Sequence, residues 1–231
     1  KPLYPSRTLK PLSVPFTADE RAIHKTLDAY CKSREKTSQE VSATGTKFVN
    51  GLLKKRLFSS PAAFASTLEK HFTTITTGAV AQKPDAMADR ILRKAILKAE
   101  EDYADDGLAE AARDEAVEVA SKRAAPPTDD ELRLLGQMRD WAQGNAQRAD
   151  SKARAIVEWI ESNLKTDGEW NDRRVILFTE YRTTHQWLHQ ILASHGFGGD
   201  RLAIIHGGMD QEDREKVKAA FQTNPRDADV R

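Results

Sequence analysis

A single cysteine, Cys31, in 231 residues rules out an internal disulfide and a cysteine-based zinc site. It falls in a helical pattern and reads as a small core or surface residue. So little cysteine suits a reducing cytoplasm. There is no run of about 18 apolar residues, so no segment is expected to span a membrane. The opening KPLYPSRTLKPL lacks the charged-then-apolar pattern of a secretory leader. No internal repeat, Ser-His-Asp set, metal-ligand spacing or paired-carboxylate arrangement stands out. Neither G-x-x-x-x-G-K-S/T nor D-E-x-H occurs, so the phosphate-binding loop and metal-binding acids of a nucleotide hydrolase are missing.

Net charge of one sign is also scarce, only +1 overall, but it is unevenly spread. Residues 1–71 carry 13 basic and 6 acidic side chains, a net of +7. Residues 72–127 carry 8 and 11, residues 128–171 carry 6 and 9, and the rest carry 9 and 9. A basic first third can contact nucleic acid. It reads equally as a solvated face paired with the acidic middle.

What is present is mostly helical period. After a Pro- and Leu-rich lead-in over 1–16, with an extended segment at Leu9–Val14, Thr17 and Glu20 form a capping box. Ile23, Leu27 and Tyr30 then predict a helix to about Ser33, followed by a polar loop. A second helix over 46–58 turns Phe48, Leu52, Leu53 and Leu57 inward, with Gly51 a weak point. Lys54, Lys55 and Arg56 on it read as a solvated face that could also meet phosphate. Ser60-Pro61 starts a third, with Phe64, Leu68 and Phe72 on one side. Pro84-Asp85 opens another, with Met87, Ile91, Ala95 and Lys98 or Ala99 on one face. Leu108–Arg123 is Ala- and Glu-rich, and is expected to be helical but loosely anchored. Pro126-Pro127 marks a boundary. Thr128 and Glu131 cap a helix carrying Leu132, Leu135, Met138 and Trp141, and Asp150 caps one that buries Ala153, Ile156, Val157, Ile160 and Leu164. KTDGEWND reads as a turn. The four tryptophans read as packing rather than base-stacking groups.

At Arg173 the period changes. Val175–Phe178 and Leu202–Ile205 are short apolar runs, as expected of strands buried on both faces. Helices follow each, the first with Trp187, Leu188, Ile191 and Leu192 inward, the second capped by Asp210 with Val217, Ala220 and Phe221 inward. The order β-α-β-α predicts two parallel strands with a right-handed crossover, and a third could begin at ADVR. Two parallel strands are marginal alone, so these sixty residues read as half of a larger α/β domain. Both strands end in turns suited to an anion, TEYRTT and HGGM. The bland readings are that Thr179 and Thr183 cap a helix, Tyr181 packs, His206 is a satisfied strand-end histidine and Arg214 pairs with Asp210 or Asp213.

Three blocks carry a resemblance: RVILFTEYRTTHQWLHQIL, RLAIIHGGM, and the Arg214–Phe221 pattern. They resemble the second RecA-like lobe of superfamily 2 helicases, in the Snf2-like branch. DSKARAIVEWI resembles the helix that precedes that lobe's first strand, and LSVPFTADERAIH the exit from the first lobe. LLKKRLFSSPAAFASTLEKH is similar to a block of Snf2-like helicases of phage-defence loci such as DISARM. The resemblance covers 8–72 and 148–231.

It implies a mainly α region followed by α/β. The helical part would span 17–147, with 73–147 a variable insertion, and 148–231 would be an incomplete RecA-like parallel β-α-β-α half-domain. It implies a cytoplasmic ATP-dependent helicase or translocase, with ATP and Mg bound by the parent protein and no cofactor in this segment. Blocks expected after Arg231 are absent, so the segment alone is expected to be inactive in ATP hydrolysis. Nucleic-acid contacts, to the backbone of DNA, fall by this resemblance to Thr179, Tyr181, Arg182, Thr183, His206 and Gly207. Arg214 and Glu180 become inter-lobe or structural residues. The first lobe would be a partner, and 73–147 could dock a protein. The alternative is a helical interaction module with an α/β scaffold tail; half of a sugar-nucleotide transferase fits less well with the helical prefix.

Overall fold

The computed structural model describes residues 7–38, 43–78, 85–224, 227 and 230. Parts of the lead-in and polar loop (1–6 and 39–42), Pro84, and most of the expected third strand at ADVR lie outside them. The described chain is mainly helical. Its elements are α1 (Ala18–Thr37), α2 (Ala43–Ser59), α3 (Pro61–Gly78), α4 (Ala86–Glu100), α5 (Asp106–Lys122), α6 (Asp129–Asn145) and α7 (Ser151–Leu164). A small hairpin, β1 (Lys165–Thr166) and β2 (Glu169–Trp170), precedes α8 (Arg182–Leu192) and α9 (Gln211–Gln222). Among the described residues no helix is long and apolar enough to cross a membrane.

The start signals act as their chemistry requires. The Thr17 hydroxyl accepts the Glu20 N–H at 3.1 Å while the Glu20 carboxylate accepts the Thr17 N–H at 2.7 Å. Thr128 and Glu131 repeat the box on α6. The Ser60 hydroxyl accepts the Ala63 N–H at 3.1 Å, with Pro61 first in α3. Asp85, Asp105, Asp150 and Asp210 each accept a first-turn N–H of the helix that follows. These acceptors also place negative charge at the positive helix end.

α1 runs four residues beyond the expected Ser33 because its last turn is tied to α6. The buried Arg34 lies 3.0 Å from the buried Glu131 and donates to the Ala125 carbonyl at 2.9 Å. Glu131 also accepts from Ser33 (2.8 Å), Thr37 (3.2 Å) and the Thr128 N–H (3.0 Å). Burial pushes this carboxyl up, but the hydrogen bonds and the Arg34 charge outweigh it and hold the group below its usual range.

Two helices depart from expectation. On α4 the buried stripe is Leu92, Ala95, Ile96 and Ala99, leaving Met87 and Ile91 exposed. Apolar residues at both 91–92 and 95–96 offer two overlapping stripes, and contact with α5 selects one. α5 itself is well anchored. Ala109, Ala112, Ala116 and Ala120 are buried, and their single methyls let neighbouring backbones approach closely. A Cβ added at Gly45 of α2 would meet the Ala120 Cβ at 3.3 Å.

The main core gathers Leu27, Leu53, Phe64, Leu92, Ala120 and Leu135, one from each of the first six helices. A second cluster joins Ile160 and Leu164 of α7 to Trp187, Leu188, Ile191 and Leu192 of α8, as the spacing of α8 predicts. KTDGEWND is more than a turn. Asp167 (φ 53°) and Gly168 (φ 84°) both take left-handed conformations, and Lys165 pairs with Trp170 across an Asp-Gly hairpin.

The two apolar runs after Arg173 depart from expectation. Among the described residues the only sheet is the β1–β2 hairpin, and neither Val175–Phe178 nor Leu202–Ile205 joins a ladder. Ile176 is 59% exposed and Phe178 91%, so these runs lack the two-sided cover that a parallel sheet needs. Among the described residues the expected parallel half-sheet is therefore not seen. Instead the two runs flank one apolar cavity of about 540 Å³, floored by Leu188, Leu192 and Phe221.

A buried relay couples α1, α3 and α5: Tyr30 Oη lies 2.6 Å from His71 Nε2, and His71 Nδ1 lies 2.7 Å from Ser121 Oγ. Burial, aided by the Arg34 charge, pushes the His71 pKa from 6.5 down to about 3. The folded chain stays unprotonated where the unfolded chain takes up a proton, so stability falls as the pH drops. The contribution is complete above pH 6.5 and is lost on going down toward 3, at ~1.4 kcal/mol per pH unit. Urea denaturation of the wild type and of His71→Gln across that range checks this. The variant should decline less steeply with acid, and parallel declines would remove His71 as the cause.

Candidate nucleic-acid interface

The site begins at α8. Tyr181 occupies its N-cap position without a side-chain cap, and neither Thr179 nor Thr183 supplies one. The first-turn N–H groups and the positive helix end are therefore presented toward whatever faces them. Arg182 and Thr183 project from this turn. Thr184, which no motif distinguishes from its neighbours, is buried and bonded to Ser59 (2.6 Å) and Ser60 (2.9 Å) at the α2–α3 junction. Lys152 of α7 donates to the Ser59 carbonyl at 2.8 Å, and burial depresses its pKa. These contacts fix α8 and α7 to the end of α2.

Tyr181 is buried beneath Arg56 of α2, whose guanidinium carbon lies 3.9 Å from the ring centroid, with Arg113 of α5 at 5.3 Å. Burial first, and the Glu180 carboxylate second, push the phenol up to about 12. Arg56 is fully buried, which corrects its reading as part of a solvated face; Lys54 remains outside, paired with Asp28 at 2.9 Å. Arg56 Nη2 lies 2.8 Å from Glu110 Oε1 without the alignment of a hydrogen bond. Its position was legible in part: Val49, Leu52, Leu53 and Arg56 share one helical face. Glu110 carried no such signal.

The second turn comes to the same place. The Gly207 N–H donates to Asp106 Oδ2 at 3.0 Å. Thr183 Oγ1 reaches Glu110 Oε1 at 3.5 Å. A Cβ built on Gly207 would collide with the Ala104 carbonyl, and one on Gly208, held at φ +80°, would strike the Asp105 carboxylate. A Cβ on Gly107 would come within 2.7 Å of Arg182 Nη1. Hydrogen bonds from Leu108 and Gly107, then the Arg182 and His206 charges, hold the Asp105 carboxyl below its usual range.

His206 turns its Nδ1 to the Gly207 carbonyl at 2.7 Å, and its own carbonyl accepts from Arg214 Nη2 at 3.3 Å. Arg214 thus braces the turn rather than pairing with Asp210 or Asp213. The His206 ring lies 6.4 Å from that of His185, whose pKa is lowered by burial and then by His206.

The folded chain thus brings Tyr181, Arg182, Thr183, His206 and Gly207 together around the first turn of α5. Thr179 and Glu180 stay exposed, with Thr179 at the mouth of the apolar cavity. The assembled chemistry is that of an oxyanion receptor: a free helix end, a guanidinium, a hydroxyl and a backbone N–H beside glycines. Its present occupants are carboxylates. Among the described residues no group of three or more His, Cys, Asp or Glu could hold a metal ion.

Comparison with known proteins finds no family model, no curated protein and no solved structure that matches the chain.

Truncating Arg56 removes both its ring contact and the partner of Glu110. Arg56→Ala should cost ~3–5 kcal/mol, as breaking a buried pair does. Lys54→Ala, at an exposed pair, should cost less than ~1 kcal/mol. Chemical denaturation of both variants tests the contrast, and equal losses would contradict the buried role.

Proposed function

We propose that the chain is a segment of an ATP-driven nucleic-acid translocase of the Snf2-like type. Its part is to grip the phosphate backbone without reading bases. The observation that carries this reading is the convergence of two separate turns, TEYRTT and HGGM, on one oxyanion receptor. Arg182, Thr183 and the Gly207 N–H are donors suited to phosphate oxygens. Such contacts are the same for every sequence, as a motor that moves along any track requires.

The finer fold belongs to the same proposal. Residues 148–231 form part of a RecA-like lobe in which Val175–Phe178 and Leu202–Ile205 become parallel strands. A third strand lying between them would fill the apolar cavity and give both runs their ladder partners. Val230 supports this: it lines that cavity, and its carbonyl accepts from Arg174 Nε at 3.0 Å. ATP and Mg act at other parts of the parent protein, and the block LLKKRLFSSPAAFASTLEKH is what suggests the phage-defence branch.

A second reading has one observation in its favour. α4 exposes Met87, Ile91 and Leu97 beside Arg90, Arg93 and Lys94, a surface a partner protein could cover. A module devoted to that partner would have no use for nucleic acid.

Fluorescence anisotropy with labelled duplexes of unrelated sequence separates the two. At low salt the chain should bind weakly, alike for each sequence, and lose affinity as salt rises. Arg182→Ala should weaken binding several-fold and reduce the salt slope by about 1. Binding indifferent to salt, or unchanged by that substitution, would refute phosphate contact at this turn.

A further inference from the structure

We infer that the first turn of α5 is a built-in occupant of the phosphate receptor, so that the chain masks its own nucleic-acid surface until the turn is displaced. This rests on the phosphate-grip reading proposed above. Three contacts carry it. Asp106 takes the Gly207 N–H at 3.0 Å, Glu110 receives the Thr183 hydroxyl at 3.5 Å, and Asp105 lies against Gly208 and within the field of Arg182 and His206. A carboxylate and a phosphodiester are both oxyanions with unit negative charge, and the same donors serve either.

The fit is steric as well as electrostatic. Gly207 and Gly208 have no room for a methyl, but what fills the space is the Ala104 carbonyl and the Asp105 side chain. Close backbone approach, the reason for expecting glycines beside a phosphate, is thus already used by the acidic turn. A phosphate chain cannot enter while the turn is in place.

The turn is also suited to leave. Asp105, Asp106 and Gly107 are only half-buried, Ala104 is exposed, and residues 101–105 precede the helix as irregular chain. The buried alanine face that anchors α5 starts at Ala109. One helical turn can therefore move while the rest of the helix stays packed. Being tethered, its carboxylates act at an effective concentration on the order of millimolar. Non-specific nucleic-acid affinities of about 10⁻⁴ to 10⁻⁶ M are of a strength that can compete with it.

The test uses the whole chain with Asp105→Asn and Asp106→Asn together. Asparagine caps a helix as well as aspartate, so α5 should still start, and Glu110 is left to Arg56. A control, Asp129→Asn with Asp130→Asn, removes the same charge from the exposed first turn of α6. The 105/106 variant should bind a labelled duplex about tenfold tighter at low salt, whereas the control gains only the modest, salt-screened increase of any lost negative charge. Equal gains in the two variants would overturn self-masking while leaving the phosphate-grip reading intact. No binding by wild type or either variant would overturn both. Hydrogen–deuterium exchange of the wild type gives an answer independent of substitutions. On adding saturating duplex, segment 104–108 should exchange faster as it is displaced; unchanged or slower exchange there, with duplex bound, refutes the inference.

Discussion

The buried guanidinium of Arg56 is the constraint on which the arrangement of the candidate site depends. It lies between the face of Tyr181 and the carboxylate of Glu110, and so touches the start of α8 and the first turns of α5 at once. A buried charge without a partner is expensive, so α2 cannot pack unless both neighbours are in place. Several of its nitrogens still lack aligned acceptors. The ring contact therefore carries more of the compensation than hydrogen bonding does. An ion pair alone would leave α8 free to shift; the aromatic plate fixes the position of Tyr181 and thus of Arg182 and Thr183 beside it.

The helical core supplies a rigid base for that junction by matching its buried polar groups. Arg34 and Glu131 each gain further partners beyond one another, and the neutral His71 bridges Tyr30 and Ser121. Such satisfied networks cost little once formed and tolerate few alternatives. The alanine face of α5 then brings the acidic turn to the tips of the two apolar runs. Ion pairs from Lys70 to Asp114 and from Arg56 to Glu110 (both 2.8 Å) show how part of the basic first third is matched by the acidic middle.

Much of the helical architecture was legible. Capping boxes at Thr17 and Thr128, Ser60-Pro61, and the stripe on α8 are local signals whose physics is complete within one or two turns. The phase of α4 was not, because its apolar residues fit two faces equally and only packing against α5 separates them. The strength of α5 was underestimated because alanine buries little area by itself. Its contribution appears only when another backbone comes near. Asp167-Gly168 carried a hairpin signal that the polarity around it concealed.

The site divides along the same line. The sequence alone determined that TEYRTT and HGGM are polar and glycine-rich turns beside apolar runs, since that follows from residue type and order. It also determined where helices start, because caps act on neighbours a few residues away. Only the tertiary structure decided that Arg56 lies inside rather than in water, that the glycines make room for Ala104 and Asp105, and that Asp106 and Glu110 meet the Gly207 N–H and the Thr183 hydroxyl. Those facts depend on residues far apart in the chain, and no periodicity within a segment encodes which distant charge will face it.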